Sequence, residues 1–140
     1  MEREVRQTIV IRKDLGMRRG KEIAQGAHSS GAFLARRLRD HGEVKMEDLS
    51  IEKQMWLQEK FTKICLIINH TRDKQGNITE HAEDKMKKLF DDTSKAGLEV
   101  HIITDSGKTE FKGVPTITAL CIGPNYKDDI DPFTKDLKLY

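Results

Sequence analysis

The chain contains 140 residues, of which 34% are charged and 36% are hydrophobic. This length fits one domain with an ordinary core, and apolar runs such as Ile64–Ile68 and Ile117–Ile122 exclude a wholly disordered chain. No apolar stretch approaches the roughly 20 residues needed to cross a bilayer. The charged start, Met1–Glu4, is unlike a secretory signal, so we expect a soluble cytoplasmic protein.

Positive charge is concentrated at the start of the chain. The formal net charge is only +2, yet residues 1–40 hold ten Lys or Arg against five acidic residues, which leaves the rest of the chain at −3. Such a cationic segment favours a polyanionic partner. A solvated helix face and a basic loop would give the same composition, and charge alone does not separate the two interpretations.

The first half of the chain predicts a strand, two helices and a second strand. The β-branched stretch Gln7–Arg12 predicts a strand, and a polar loop then leads to a helix over Lys21–Arg39, whose apolar residues recur at helical spacing. The charged connection His41–Ser50 precedes a short helix over Ile51–Lys60. The segment Lys63–Asn69 carries a continuous apolar run, which is typical of a strand buried on both faces.

The second half predicts one more helix and two more strands. A turn-rich loop, Arg72–Asn77, separates the second strand from a helix over Thr79–Lys95. Strands follow over Val100–Thr104 and Thr116–Gly123, with a short helical turn near Ile130–Thr134. The order β-α-α-β-α-β-β predicts a single α/β domain over residues 1–140, with a four-stranded mixed sheet and helices on both faces.

The two cysteines, Cys65 and Cys121, lie inside apolar runs and belong to no CxxC or Cys/His cluster. A disulfide is not expected in a chain without an export signal. Both are predicted to be buried, reduced thiols, and no metal site is expected.

A polar segment lies at the start of the first predicted helix, next to a strand end, where α/β sheets tend to bind ligands. Lys21, Gln25 and His28 share one helical stripe. Lys21 lies in the first turn, where free backbone N–H groups and the helix dipole favour an anion. The residues alone leave open the alternative that Lys21 is simply solvated and that His28 is a core histidine.

A second polar segment, Asp105–Thr109, follows the third predicted strand. Its carboxylate, glycine turn and hydroxyl could place one acid and one hydroxyl beside a substrate, although Asp-Ser-Gly is also ordinary turn chemistry. The sequence contains no GxSxG elbow, phosphate-binding loop, dinucleotide fingerprint or HExxH helix. Motifs therefore give no support to those classes of hydrolase, nucleotide-binding enzyme or metalloprotease.

Taken together and in order, these blocks resemble the archaeal/eukaryotic-type (second-type) peptidyl-tRNA hydrolases. Ile9–Met17 is similar to the family's apolar strand followed by R-x-D-L-x-M, and Gly20–His28 is similar to its G-K-x-A-x-Q-x-x-H. Asp105–Thr109 resembles the family's D-A-G-R-T turn, and Val114–Pro124 resembles its final strand, which ends in I-G-P. The closing Leu137–Tyr140 is similar to its L-K-L ending.

The resemblance implies an enzyme that uses no metal or other cofactor and hydrolyses the ester between a peptide and the 3′ ribose of tRNA. It also implies a small domain with a four-stranded mixed sheet. The resemblance implies that Lys21, Asp105 and Thr109 are the catalytic residues. Six further residues are expected to bind the substrate: Asp14, Arg18, Arg19, Gln25, His28 and Lys108.

Ester hydrolysis requires an activated water and stabilisation of a tetrahedral oxyanion. We expect Asp105 to orient or deprotonate the water with help from Thr109, and Lys21 to supply positive charge to the oxyanion or to the terminal phosphate. Gln25 and His28 would hold the substrate or tune Lys21. The basic N-terminal segment would bind the tRNA backbone in a salt-sensitive way.

The chain departs from the family pattern at several positions. Lys108 stands where the family has Arg and lacks its planar guanidinium, Ser106 replaces Ala, and Ile67 replaces a frequently basic residue. Two alternative functions are a non-catalytic tRNA- or RNA-binding module with the same fold, and a hydrolase of another acylated tRNA. The retained catalytic positions argue against the first. A homodimer through an apolar edge or helix face is compatible with the sequence.

Overall fold

The computed structural model describes residues 3–108 and 111–140. Its strands are Val5–Arg12 (β1), Lys63–Ile68 (β2), Thr71–Arg72 (β3), Ile78–Glu80 (β4), Val100–Asp105 (β5), Thr116–Tyr126 (β6) and Lys138–Leu139 (β7). Its α-helices are Arg19–His41 (α1), Ile51–Gln58 (α2), Ala82–Lys95 (α3) and Lys127–Thr134 (α4). The main sheet has five strands in the order β5-β6-β1-β2-β7, and β3 and β4 form a separate hairpin.

Three strands of the main sheet run in the same direction. β1 is parallel to β2 and antiparallel to β6, which is itself antiparallel to β5. The carboxyl ends of β1, β2 and β5 therefore lie at one edge of the sheet, which we call the carboxyl edge. Lys13 and Asp14 follow β1 at this edge, the hairpin follows β2, and Asp105 ends β5.

Helices cover both faces of the sheet because successive side chains of a strand point to opposite sides. Val10 belongs to a buried cluster that contains Met86 of α3. Its neighbours Ile9 and Ile11 belong to a second cluster, over which α1 lies at Gly26. A Cβ at Gly26 would be 3.8 Å from Ile9 and 3.9 Å from Ile11, so the glycine brings the helix close to the sheet.

A buried tryptophan joins α2 to α1 and to the start of β2. Trp56 is 0% exposed, its ring meets Phe33 of α1 edge to face at 5.9 Å, and its Nε1–H donates to the carbonyl of Thr62 at 2.7 Å. Trp56 therefore fixes the second predicted helix to the sheet and to α1.

The mixed α/β fold is confirmed, but the prediction of a four-stranded sheet is wrong. The two-residue strand β7 pairs with Leu66 and Ile67 and adds a fifth strand. The predicted loop Arg72–Asn77 includes the last residue of β3 and the turn that joins β3 to β4. The third helix begins at Ala82 rather than Thr79, because Thr79 belongs to β4. Strands of two or three residues leave no alternating pattern in a sequence, which is why they were missed.

The other predicted elements are present with shifted ends. The first strand begins at Val5 and the final long strand continues to Tyr126. The predicted helical turn near the C-terminus is the longer helix α4. Cys65 and Cys121 are both free thiols, Cys121 buried and Cys65 half-buried. Within the described ranges, no helix is long and apolar enough to span a bilayer.

Candidate active site

The beginning of α1 and the end of β5 bring two predicted catalytic residues together. Lys21 Nζ donates to Asp105 Oδ1 at 2.7 Å. The two side chains are 14% and 12% exposed, so the ion pair is mostly shielded yet still accessible from the carboxyl edge. Lys21 lies in the first turn of α1 and Asp105 is the last residue of β5. The tertiary fold, rather than local sequence, therefore creates the pair.

Gln25, one helical turn beyond Lys21, is a second partner of the same carboxylate. Its Nε2 donates to Asp105 Oδ1 at 3.3 Å, while its Oε1 accepts a hydrogen bond from Thr118 Oγ1 at 2.5 Å. Gln25 is 2% exposed and Thr118 is 0% exposed. Because the hydroxyl holds the amide oxygen, the amide NH₂ is directed at the carboxylate.

Thr118 was missed by the sequence analysis. It lies in β6, next to Ile117 in an otherwise apolar run. A polar residue at a fully buried position requires a hydrogen-bond partner, and that requirement was the signal available in the sequence.

The turn after β5 binds the other oxygen of the carboxylate. The backbone N–H of Gly107 donates to Asp105 Oδ2 at 2.8 Å. Gly107 has φ +84°, and a Cβ there would lie 2.3 Å from the carbonyl oxygen of Val114. Only glycine fits this turn, so the Asp-Ser-Gly sequence is both a turn and a support for the site.

These contacts favour the ionised form of Asp105. The hydrogen bond from Lys21 lowers the pKa of Asp105, and partial burial opposes this effect. The Gly107 N–H and the charges of Lys21 and His28 lower the pKa further. Asp105 is therefore a carboxylate at neutral pH.

The described residues do not fill the hydrogen-bond capacity of this carboxylate. Asp105 Oδ1 accepts from Lys21 and Gln25, whereas Oδ2 accepts only from Gly107 among the described residues. A carboxylate has about four acceptor positions, so the described contacts leave a position on Oδ2 that a water molecule can occupy. The ring of Phe111 lies 5.9 Å from Lys21 Nζ and forms an apolar neighbour for the ammonium.

Four of the remaining predicted site residues are exposed. His28 is exposed on the same stripe of α1 as Lys21, so the alternative of a core histidine is wrong. Three predicted substrate-binding cations are exposed at the carboxyl edge: Arg18, Arg19 and Lys108. Thr109 lies outside the described residues.

Asp14 lies at the carboxyl edge but outside this cluster. Arg12 binds both of its carboxylate oxygens, at 3.1 and 2.7 Å, and His70 Nε2 lies 3.6 Å from Oδ2. The Asp14 side chain is 5% exposed. In the described structure Asp14 links the end of β1 to His70, two residues after the end of β2. Its role as a substrate ligand stays a prediction.

The basic segment at the start of the chain does not form one surface. Arg3, just before β1, pairs with Asp129 at 3.0 Å, and Arg37 pairs with Glu99, just before β5, at 2.6 Å. Both pairs lie at the amino ends of strands, opposite to the carboxyl edge. Only part of the predicted cationic segment is therefore near the Lys21–Asp105 pair.

Comparison with known proteins identifies the family. Residues 5–140 match the sequence model of the family described as Peptidyl-tRNA hydrolase PTH2. The chain belongs to this family. A protein named peptidyl-tRNA hydrolase from Methanococcus vannielii is 34% identical over 134 residues, which are 95% of this chain and 97% of that protein. One of the same name from Methanopyrus kandleri is 35% identical over 135 residues, 96% of this chain and 97% of that protein.

The match to the PTH2 family also extends to a eukaryote. A protein named probable peptidyl-tRNA hydrolase 2 from Dictyostelium discoideum is 30% identical over 98% of this chain, which corresponds to 55% of that protein. The resemblance inferred from the sequence blocks is thereby confirmed across nearly the whole chain. In the part of this PTH2 chain that the structure describes, no three His, Cys, Asp or Glu side chains form a group that could hold a metal ion.

Proposed function

We propose that this chain hydrolyses the ester bond between a peptide, or an N-blocked aminoacyl group, and the 3′ end of tRNA. The observation that carries the proposal is the ionised Asp105 carboxylate, held 2.7 Å from the Lys21 ammonium in a chain of the PTH2 family. A fixed carboxylate beside a fixed cation supplies the two functions that ester hydrolysis requires, a water-orienting group and an oxyanion-stabilising charge.

In the proposed reaction, Asp105 Oδ2 accepts a hydrogen bond from the attacking water. As the water oxygen bonds to the ester carbonyl carbon, its proton passes to the carboxylate, and negative charge develops on the carbonyl oxygen. The Lys21 ammonium stabilises this charge. When the tetrahedral intermediate collapses, the bond from carbon to the ribose 3′ oxygen breaks, and that oxygen takes up the proton.

Three further residues support these two groups in the proposal. Gln25 holds Asp105 Oδ1 from within the protein, so that the carboxylate keeps one orientation through the reaction. His28, exposed on the same helical stripe as Lys21, is proposed to contact the substrate. Thr109 is proposed to position the water on the basis of the family resemblance.

The RNA part of the substrate would lie along the carboxyl edge. Arg18, Arg19 and Lys108 are exposed there, and cations around a catalytic cleft bind the phosphate backbone without regard to base sequence. This arrangement supports tRNA as the substrate and predicts an affinity that falls as salt rises.

The test is release of the acyl group from purified N-acetyl-aminoacyl-tRNA, with EDTA present throughout. Asp105→Ala and Lys21→Ala should each slow release by about 100-fold or more while thermal unfolding remains cooperative. The matched control is Asp92→Ala, which removes an exposed ion pair of the same 2.7 Å length, with Lys88 on α3, and should leave activity unchanged.

The possible results separate the candidate functions. Binding of tRNA without any release would replace the proposal by the non-catalytic RNA-binding module. Faster release from an unblocked aminoacyl-tRNA than from the N-acetylated form would identify a hydrolase of another acylated tRNA. Activity lost only when EDTA is added would contradict catalysis by these side chains alone.

We also propose that the chain forms a homodimer and acts in the cytoplasm. A groove of about 980 Å³ runs between α1 and the β2–β7 edge, and Ile23, Phe61 and Tyr140 beside it are 66%, 49% and 53% exposed. A protruding apolar side chain next to an apolar groove is self-complementary, as a two-fold interface requires. Light scattering should give a dimer that Ile23→Lys converts to a monomer, and a monomeric unmutated chain would contradict this part.

A further inference from the structure

The hairpin formed by β3 and β4 leaves the sheet at the same edge as the Lys21–Asp105 pair. It begins at Thr71, shortly after β2 ends at Ile68. Three strand spacings separate β2 from β5 in the sheet, which corresponds to about 14 Å at roughly 4.8 Å per strand. The base of the hairpin therefore lies about 14 Å across the sheet from the strand that ends at Asp105. One bound macromolecule can span this distance.

The root of the hairpin is fixed to two other elements. His70 Nδ1 accepts the backbone N–H of Ala82, at the start of α3, at 3.0 Å. On the other side, His70 Nε2 lies 3.6 Å from Asp14 Oδ2, and Asp14 is held by Arg12 of β1. The position of the hairpin is thus coupled to the loop that precedes α1 and Lys21.

The tip of the hairpin is internally ordered. Asp73 Oδ1 accepts the backbone N–H groups of Gln75 and Asn77, each at 2.9 Å, and backbone hydrogen bonds lower the pKa of Asp73. Arg72 NH1 donates to the carbonyl of Gly76 at 2.8 Å. A preformed turn loses little entropy when it binds a partner, so the tip is suited to a binding role.

The tip of the hairpin, residues 72–77, carries two cations, Arg72 and Lys74, and one carboxylate, Asp73, and all three side chains are exposed. The Asp73 carboxylate accepts the backbone N–H groups of the turn, and Glu80 lies at the base of the hairpin, at the end of β4. Arg72 and Lys74 are exposed, and in the part of the chain that the structure describes, no hydrogen bond or ion pair engages Lys74. The tip therefore has a net charge of +1, although residues 71–80 as a whole are neutral.

We propose that this hairpin contacts the phosphate backbone of the acceptor-stem duplex of tRNA while the 3′ end occupies the Lys21–Asp105 site. This inference rests on the proposed function. Double-stranded RNA is recognised by shape, phosphates and 2′-hydroxyls across its shallow minor groove. A rigid projection that carries the Arg72 guanidinium, the Lys74 ammonium and the side-chain amide of Gln75 presents matching donors. The few unpaired nucleotides at the tRNA 3′ end bridge the distance to the active site.

RNA fits this surface better than a protein partner does. Ile78 is the large apolar side chain exposed on the hairpin, and at 37% exposed it is only partly accessible. Specific protein interfaces need a buried apolar or aromatic centre, and the tip offers only charged and amide groups. Phosphate recognition requires just those groups.

The experiment compares two substrates with the Arg72→Ala/Lys74→Ala double variant. One substrate is N-acetyl-aminoacyl-tRNA, and the other is a short N-acetyl-aminoacylated oligonucleotide that ends in CCA and has no duplex. Each lost phosphate contact should reduce tRNA affinity about eightfold at 0.1 M salt, since the salt slope is about 0.9 per contact. We expect a raised KM and unchanged kcat with tRNA, and no change with the oligonucleotide. The salt slope of tRNA binding should fall by about 1 to 2.

The control is Lys45→Ala, which removes an exposed lysine that lies 3.7 Å from Glu43 in the connection after α1. It should leave both substrates unaffected. An unchanged KM for tRNA in the double variant, or an equal loss with both substrates, would overturn the hairpin proposal. If the unmutated chain hydrolyses neither substrate, the proposed function fails, and the salt slope for deacylated tRNA then decides the hairpin contact by itself.

Discussion

Lys21 Nζ and Asp105 Oδ1 lie 2.7 Å apart although 84 positions separate the two residues in the chain. The ammonium comes from the first turn of a helix and the carboxylate from the end of an edge strand. Gln25 and Gly107 hold the same carboxylate from two other directions. An ion pair with this many supports is preorganised, so little reorganisation is needed when charge develops on a substrate.

The pH profile of the reaction should reveal the effect of Lys21 on the ionisation of Asp105. Because the pKa of Asp105 is lowered by Lys21, the active carboxylate persists as pH falls and is lost only below the ordinary range of an Asp, about 3.9. Lys21→Met removes that stabilisation, so the acid limb of its residual kcat/KM should move to higher pH. Lys88→Met, which breaks the exposed pair with Asp92, serves as the control. An acid limb that does not move would contradict the electrostatic role of Lys21.

Thr118→Val should lower kcat with little effect on KM. The substitution keeps the side-chain shape but removes the hydroxyl that binds Gln25 Oε1 at 2.5 Å, so the buried amide no longer directs its NH₂ at Asp105. The matched control is Thr93→Val, which removes a buried hydroxyl that donates to the Leu89 carbonyl at 2.7 Å in α3. Both variants should lose about 1–3 kcal/mol of stability in urea unfolding. Equal kcat values for the two would show that Thr118 is only structural.

Gly107→Ala should cause a large loss of catalytic activity and a smaller loss of thermal stability. A methyl group there would lie 2.3 Å from the Val114 carbonyl oxygen, so the turn must shift and the N–H that binds Asp105 Oδ2 moves with it. Gly97→Ala is the control, since that glycine has a similar φ of +80°, has open space around its Cβ position and lies after α3, away from this turn. Steady-state kinetics and thermal unfolding of both variants provide the measurement. Comparable activities in the two would disprove the coupling of this turn to the site.

Glu99 should contribute stability that depends on pH. Burial opposes its ionisation, but hydrogen bonds from His101 and Arg37 outweigh burial and lower the pKa of Glu99 from 4.5 to about 2. A lowered pKa in the folded state means that the stabilisation is complete above pH 4.5 and is lost as pH falls towards 2. Glu99→Gln should therefore cost on the order of 3 kcal/mol at pH 7.

Urea unfolding at pH 7 and at pH 3 tests this expectation. The stability difference between the unmutated chain and Glu99→Gln should shrink at the lower pH, because the Glu99 carboxyl is then mostly protonated in the unfolded state. Glu43→Gln, at a side chain that is 71% exposed, should show almost no difference at either pH. A cost for Glu99→Gln that is the same at both pH values would contradict the charge-based origin.

The long elements of the fold were predictable because their patterns are local. The strand at Lys63–Ile68 is apolar throughout, and α1 repeats its apolar positions at helical spacing. The hairpin and β7 were not predictable, since β7 exists only by pairing with Leu66 and Ile67. A two-residue strand has no pattern of its own, and its hydrogen-bond partner is distant in the chain.

The sequence by itself determined the mixed α/β class and the family, and it singled out Lys21, Gln25 and Asp105. It could do so because motifs and periodic patterns are formed by residues that are close together in the chain. Only the tertiary structure decided that these three side chains meet, that Thr118 orients Gln25, and that the early basic residues divide between opposite ends of the sheet. Strand order and direction determine which distant residues become neighbours, and the hydrogen bonds and charges that shape a site act over distances of a few ångströms in space rather than along the chain.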